Sequence, residues 1–237
     1  MSPVCGPDKG DWIPIGENFG FDGYFSGRPI DENGNIDFYL IGGHKISGLY
    51  INNNKLAQGL FSILKGGSIT ALEIEGNVSG DGPVGLLAGS SHGFVGYIVT
   101  RGSVSSHSSA GGIVGSSSDQ IGQCVNYADV TSDLGSCGGI TSVIGLIQNC
   151  RNYGAITCTS NLGTVGGIVG TVKYGVRNCG NYGNVSGSYE IGGIAGLTCP
   201  DMGNIINCYN YGDIRLILPM SGDVKHGTAG GIVGTVG

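Results

Sequence analysis

The feature that most limits what this chain can fold into is a repeat. The stretch NCRNYGAI at 149–156 returns as NCGNYGNV at 178–185 and as NCYNYGDI at 207–214, with a degenerate copy, QCVNYADV, at 123–130. A second motif, of GGIVG type, keeps step with it. Its second apolar position falls at Leu60, Leu87, Ile113, Ile140, Ile168, Ile194 and Ile232, in steps of 27, 26, 27, 28, 26 and 38 residues. The cysteine of the first motif and its equivalents, Leu72, Ile98, Cys124, Cys150, Cys179 and Cys208, step by 26, 26, 26, 29 and 29. A third series, Val78, Val104, Val130, Ile156, Val185 and Ile214, follows the second by six residues throughout. Self-similarity at one period is the mark of a stacked architecture, in which no unit is large enough to bury its own apolar face.

The residues of the repeat decide which architecture. Helical repeats are longer and need Leu, Ala and charge on a 3.6-residue period. This repeat is made of Gly, Val, Ile, Ser, Thr and Asn in short alternating runs, which are strands separated by turns. Three short strands and three turns fit about 27 residues at roughly 3.3 Å per strand residue. The expected fold is therefore all-β: a right-handed parallel β-helix (β-solenoid) of about seven coils of roughly 27 residues, with three short strands per coil. Residues 1–45 are expected to form a capping segment and the first coil, and 46–237 the repeat solenoid. Trp12, Ile13, Ile15, Phe19 and Phe21 are apolar bulk outside the ladders, expected to close the amino-terminal end of the core. The chain stops at Gly237, in mid-repeat. The expectation is a solenoid truncated there and continuing in a longer chain, or a bare last coil that associates end to end with another subunit.

Composition removes several classes. With 49 glycines in 237 residues a low-complexity chain is conceivable, but 40% hydrophobic and only 12% charged residues is too apolar for disorder. The net charge of −6 argues against nucleic acid or an anionic membrane surface as the main partner. No apolar run approaches the roughly 20 residues of a membrane helix, so no membrane insertion is expected. The start, MSPVCGPDKG, has no apolar signal-peptide region.

The candidate residues follow from the ladders. Cys124, Cys150, Cys179 and Cys208 share a column with Leu72 and Ile98, so they are expected inside, reduced, as a structural core ladder. Metal binding is the lesser alternative: no CxxC occurs, and His44, His92, His107 and His226 are scattered without ligand spacing. No cofactor is expected. Disulfides between stacked coils are disfavoured, because in-register side chains sit about 4.8 Å apart whereas disulfide Cβ atoms want about 3.8 Å. Asn126, Asn152, Asn181 and Asn210, two residues after each cysteine, suit a left-handed strand end or a ladder of side chains bonded to one another. Tyr127, Tyr153, Tyr182 and Tyr211 come next and should face outward, as a stacked column or as a platform for sugar rings. Longer intervals at 197–204 and 215–228 are expected to project as loops, with Asp223, Lys225 and His226 as contact candidates in the second.

The GGIVG strand followed by I-x-N-C-x-N-x-G-x-V resembles the GLUG-type repeats of bacterial cell-surface proteins. DWIPIG at 11–16, FDGYFSG at 21–27 and HKISGLYI at 44–51 resemble the W-x-P-I-G, F-x-G-x-F-x-G and I-x-G-L-x-I segments found ahead of such repeats. The chain departs from the pattern at Gly139, Ile140, Thr141 and Ser142, where the final glycine is lost, and in the two late insertions. The resemblance implies a right-handed parallel β-helix of a secreted or wall-attached protein, extracellular or on the cell surface, acting as an adhesive or structural stalk that binds host protein or glycan. HExxH and P-loop motifs are absent and charges are sparse, so a non-enzymatic module is expected. The alternative is a carbohydrate-active β-helix, a lyase or hydrolase, which requires a pocket with paired carboxylates.

Overall fold

Strict alternation puts every second side chain of a strand inside. Ser103 is exposed, Val104 buried, Ser105 exposed and Ser106 buried. A coil built this way has an apolar interior and open backbone edges, and both are satisfied by stacking the next coil on it. The computed structural model describes residues 5–28, 43–200, 203–217 and 227–237 and shows this stacking throughout.

The sequence ladders are physical columns. Val78, Val104, Val130, Ile156, Val185 and Ile214 pair in parallel register from one coil to the next. Leu72 pairs with Ile98, and the pairings of Val99, Val125, Arg151, Gly180 and Tyr209 carry that column through the four cysteines. In the third column Leu87 donates its backbone N–H to Ile113, Ile113 to Ile140, Ile140 to Ile168, Ile168 to Ile194 and Ile194 to Ile232. Its seven rungs, from Leu60 to Ile232, delimit about six turns, close to the seven coils expected. The strands fall into one large wrapped sheet and a second, five-stranded sheet running from Ala110–Gly111 through Cys137–Gly138, Thr164–Gly166 and Glu190–Gly192 to Thr228–Gly230. No helix occurs among the described residues.

Each coil turns a corner at the residue before the cysteine column. Ala71, Tyr97, Gln123, Asn149, Asn178 and Asn207 all have φ between 52° and 59°. Asn tolerates that left-handed conformation better than most residues, so the N of each NC pair is the corner residue. Of the two roles open to the asparagines after the cysteine, a left-handed strand end or a ladder of bonded side chains, they take the second and point inward.

At the amino-terminal end Trp12 and Phe21 pack on the core, the Phe21 ring 5.1 Å from that of Phe61. Ile15 covers the edge with its backbone, donating to Leu60 and accepting from Ser62. Ile13 and Phe19, at 71% and 82% exposure, do not close the core as expected. At the described ends of the two insertions the chain is strand rather than loop. Leu197 and Thr198 belong to a strand paired on both sides, and Arg215, Leu216 and Thr228 are also in paired strands. The remaining insertion residues include 201–202 and 218–226, which lie outside the described residues, and with them lie Asp223, Lys225 and His226.

Candidate functional site

The repeated motif places three kinds of side chain. Its asparagine points inward and forms a ladder. Thr100 donates its hydroxyl to Asn126 Oδ1 at 2.7 Å; the amide of Asn126 donates to Asn152, that of Asn152 to Asn181 and that of Asn181 to Asn210, at 2.8, 2.8 and 2.7 Å. Each amide also donates to the carbonyl two residues on, at Ala128, Gly154, Gly183 and Gly212. Asn126, Asn152 and Asn181 are fully buried, yet every amide is satisfied. The second glycine of the GG motif makes the room: a Cβ on Gly139 would stand 2.4 Å from Asn152 Cγ, and Gly112, Gly167 and Gly193 meet their asparagines in the same way. The two motifs thus face each other across the coil.

The cysteine is more than a small hydrophobe. Each ladder thiol donates to the carbonyl two residues before it, across the left-handed corner: Cys124 to Gly122 at 3.1 Å, Cys150 to Gln148 at 3.3 Å, Cys179 to Arg177 at 3.2 Å and Cys208 to Ile206 at 3.3 Å. Cys124, Cys150 and Cys179 are buried; Cys208, on the last described rung of the column, is only half-buried. Burial pushes the Cys150 and Cys179 thiols well above their ordinary range. No disulfide links the eight cysteines in the structure.

The tyrosine faces out. Tyr127 and Tyr153 stack with ring centroids 4.9 Å apart and planes 11° apart, Tyr153 and Tyr182 at 4.6 Å and 6°, Tyr182 and Tyr211 at 5.4 Å and 25°. The Arg101 guanidinium lies 4.2 Å from the centroid of Tyr127 and closes the free end of the stack. Tyr209 meets Tyr182 edge-on, shares a 3.0 Å hydroxyl contact with it, and carries Arg151 over its ring. The ring faces of Tyr127, Tyr153 and Tyr182 are therefore occupied, so a sugar ring has no face to stack on there. What the stripe presents outward is ring edges, hydroxyls and two guanidinium groups.

A second surface lies on the outer face of the next strand in each coil. Asn52, Ser79, Ser105, Thr131 and Thr157 stack in register along the axis and floor a groove of about 380 Å³. Its wall is a row from consecutive coils: His107 Nδ1 lies 2.7 Å from Asp133, and its Nε2 lies 3.9 Å from Asp81. A further depression lined by Ser108 and Leu134 shares Asp81 and His107 with the groove. No hydroxyl hydrogen-bonds to the His107 ring among the described residues. The sequence had shown four scattered histidines; the signal that finds this row is the coil period itself, since Asp133 follows His107 by 26 residues and His107 follows Asp81 by the same step. No group of three or more His, Cys, Asp or Glu side chains is placed to hold a metal ion among the described residues.

No protein-family model matches the chain, and no curated protein does. The likeness to GLUG-type repeats therefore rests on its motifs. Among solved structures the chain is similar to a candidate immunoglobulin A1 protease from Bacteroides ovatus, at 21% identity and a TM-score of 0.59 over 92% of this chain and 78% of that one. That likeness shows the shared β-solenoid fold. It also corrects the expectation of a non-enzymatic module: the same fold is present in a protein named for an enzymatic activity, and the groove holds two carboxylates where a purely adhesive module was expected to hold none. Missing HExxH and P-loop motifs exclude only chemistries whose residues are close in sequence; GSSHG at 89–93 matches G-x-S-x-G in letters, but Ser91 is buried and its hydroxyl donates to the Gly93 carbonyl at 2.9 Å.

Proposed function

We propose that this solenoid is an adhesive, protein-recognising module of a secreted or surface bacterial protein of the protease-like kind, and that the tyrosine–arginine stripe is its contact face. The observation that carries the proposal is the geometry of Tyr127, Tyr153, Tyr182 and Tyr211, stacked at 4.6 to 5.4 Å and closed by Arg101. Tyrosine and arginine dominate the energetics of protein interfaces. A stack locked by its neighbours loses little side-chain freedom on binding, which lowers the entropic cost of association. With the ring faces of Tyr127, Tyr153 and Tyr182 filled, contact there runs through hydroxyls, ring edges and the guanidinium groups of Arg101 and Arg151, which suits carboxylates and backbone carbonyls of a protein loop.

The fold neighbour's name makes immunoglobulin A1 the first partner to try. The test is surface plasmon resonance with immobilised immunoglobulin A1 against the wild-type chain and the double variant Tyr153→Ser, Tyr182→Ser, with circular dichroism as the fold control. Binding by the wild type that drops about tenfold or more in a folded variant supports the proposal. No binding by the wild type, or equal binding by both, sinks it.

A further inference from the structure

We propose that the groove floored by Asn52, Ser79, Ser105, Thr131 and Thr157 binds a linear chain of neutral sugars laid parallel to the solenoid axis. The spacing selects the ligand class. The floor side chains come from successive coils in unbroken register, so they repeat at about 4.8 Å. That is close to the advance of one hexose in an extended glycan. An extended peptide repeats its same-side groups at roughly 6.6 Å and falls out of step with the rungs almost at once.

The chemistry agrees with the spacing. The floor is amide and hydroxyl, each both donor and acceptor, and the side chains are small enough to leave the groove open. Ser105 and Thr131 at its centre are exposed. The wall supplies carboxylates, which accept strong hydrogen bonds from sugar hydroxyls. Asp133 is held by His107 at 2.7 Å, whereas Asp81 is only loosely engaged at 3.9 Å and keeps lone pairs for a ligand. Two carboxylates in the wall repel acidic sugars. No Phe, Tyr or Trp ring lines the groove, so the chain is gripped through its hydroxyl edges. The site shares no residue with the tyrosine stripe, and the two proposals stand or fall separately.

The test is calorimetric titration of the whole chain with cello- and manno-oligosaccharides of increasing length, and with polygalacturonate as the acidic probe. At least one neutral series should bind, gaining affinity with each ring until the chain spans the floor column and then levelling off. Polygalacturonate should bind about tenfold more weakly, and Asp133→Asn should narrow that gap while keeping the shape of the groove. His107→Ala with Thr131→Val should weaken neutral binding about tenfold, and Tyr153→Ser should leave it unchanged. The proposal is overturned if neither neutral series binds, if affinity does not depend on length, if the acidic polymer is preferred, or if Asp133→Asn changes nothing.

Discussion

Replacing Asn152 with alanine removes three hydrogen bonds at once. Its Oδ1 accepts from Asn126 at 2.8 Å, and its amide donates to Asn181 Oδ1 at 2.8 Å and to the Gly154 carbonyl at 2.9 Å. The change strands one N–H of Asn126, the Asn181 acceptor and the Gly154 carbonyl at a site with 0% exposure. Each stranded buried group costs roughly 1–3 kcal/mol. Asn126 keeps its bond to Ala128, and water entering the vacated space would recover part of the rest, so the expected loss is about 3–5 kcal/mol. That is a large part of the roughly 5–15 kcal/mol by which a domain is stable. The loss is read from guanidinium melts followed by circular dichroism, beside two companions. Asn210→Ala acts on the last described rung, which is only partly buried, and should cost about 1 kcal/mol. Asn152→Asp keeps the shape and the acceptor but points an oxygen at two other oxygens. Burial raises the folded pKa of that carboxyl, so the variant's stability is greatest below the unfolded value of about 3.9 and is lost as pH rises through the folded value. It should therefore weaken from acid toward neutral pH relative to the wild type. An Asn152→Ala variant within about 1 kcal/mol of the wild type, or an Asn152→Asp variant with no such pH trend, would falsify the view that the ladder holds the coils together.

Gly139→Ala sets a Cβ 2.2 Å from the Gly167 carbonyl oxygen and 2.4 Å from Asn152 Cγ, so thermal melts should show a loss of about 3 kcal/mol or more, whereas Gly231→Ala, with nothing within 4 Å, should be nearly neutral. A thiol reagent should modify half-buried Cys199 and Cys208 in the native protein well before Cys124, Cys150 and Cys179, and all of them rapidly in denaturant; fast native labelling of the three buried thiols contradicts the core column. Burial, and then the neighbouring Tyr182 and Tyr127, hold the Tyr153 phenol above its ordinary pKa. Its contribution to stability is present below the unfolded value of about 10 and is lost as pH rises through the folded one. A late component of the ultraviolet tyrosinate titration should therefore disappear in Tyr153→Phe, and an unchanged curve counts against the stacked geometry.

What the sequence determined by itself was the period and what a period implies. Stacking maps each residue onto the one a coil away, so Val78, Val104 and Val130 declare a shared column, and alternation tells which side of the strand they take. That is why the all-β solenoid and the buried place of Cys124, Cys150 and Cys179 were legible without coordinates. What only the tertiary structure decided depends on the direction of the chain at each corner and on contacts across the coil. The left-handed residue proved to be Asn149 rather than Asn152, because the place within the motif where the chain turns leaves the ladder spacing unchanged. The pairing of Gly139 with Asn152 crosses the interior, and neither motif announces the other. The tyrosine column was visible, but not that the ring faces of Tyr127, Tyr153 and Tyr182 are filled, since that depends on the angle at which each ring leaves the turn. Asp81, His107 and Asp133 looked isolated because a local motif search reads neighbours along the chain. In a solenoid the neighbours that matter chemically lie one coil apart, and the register of the parallel strands decides which residues those are.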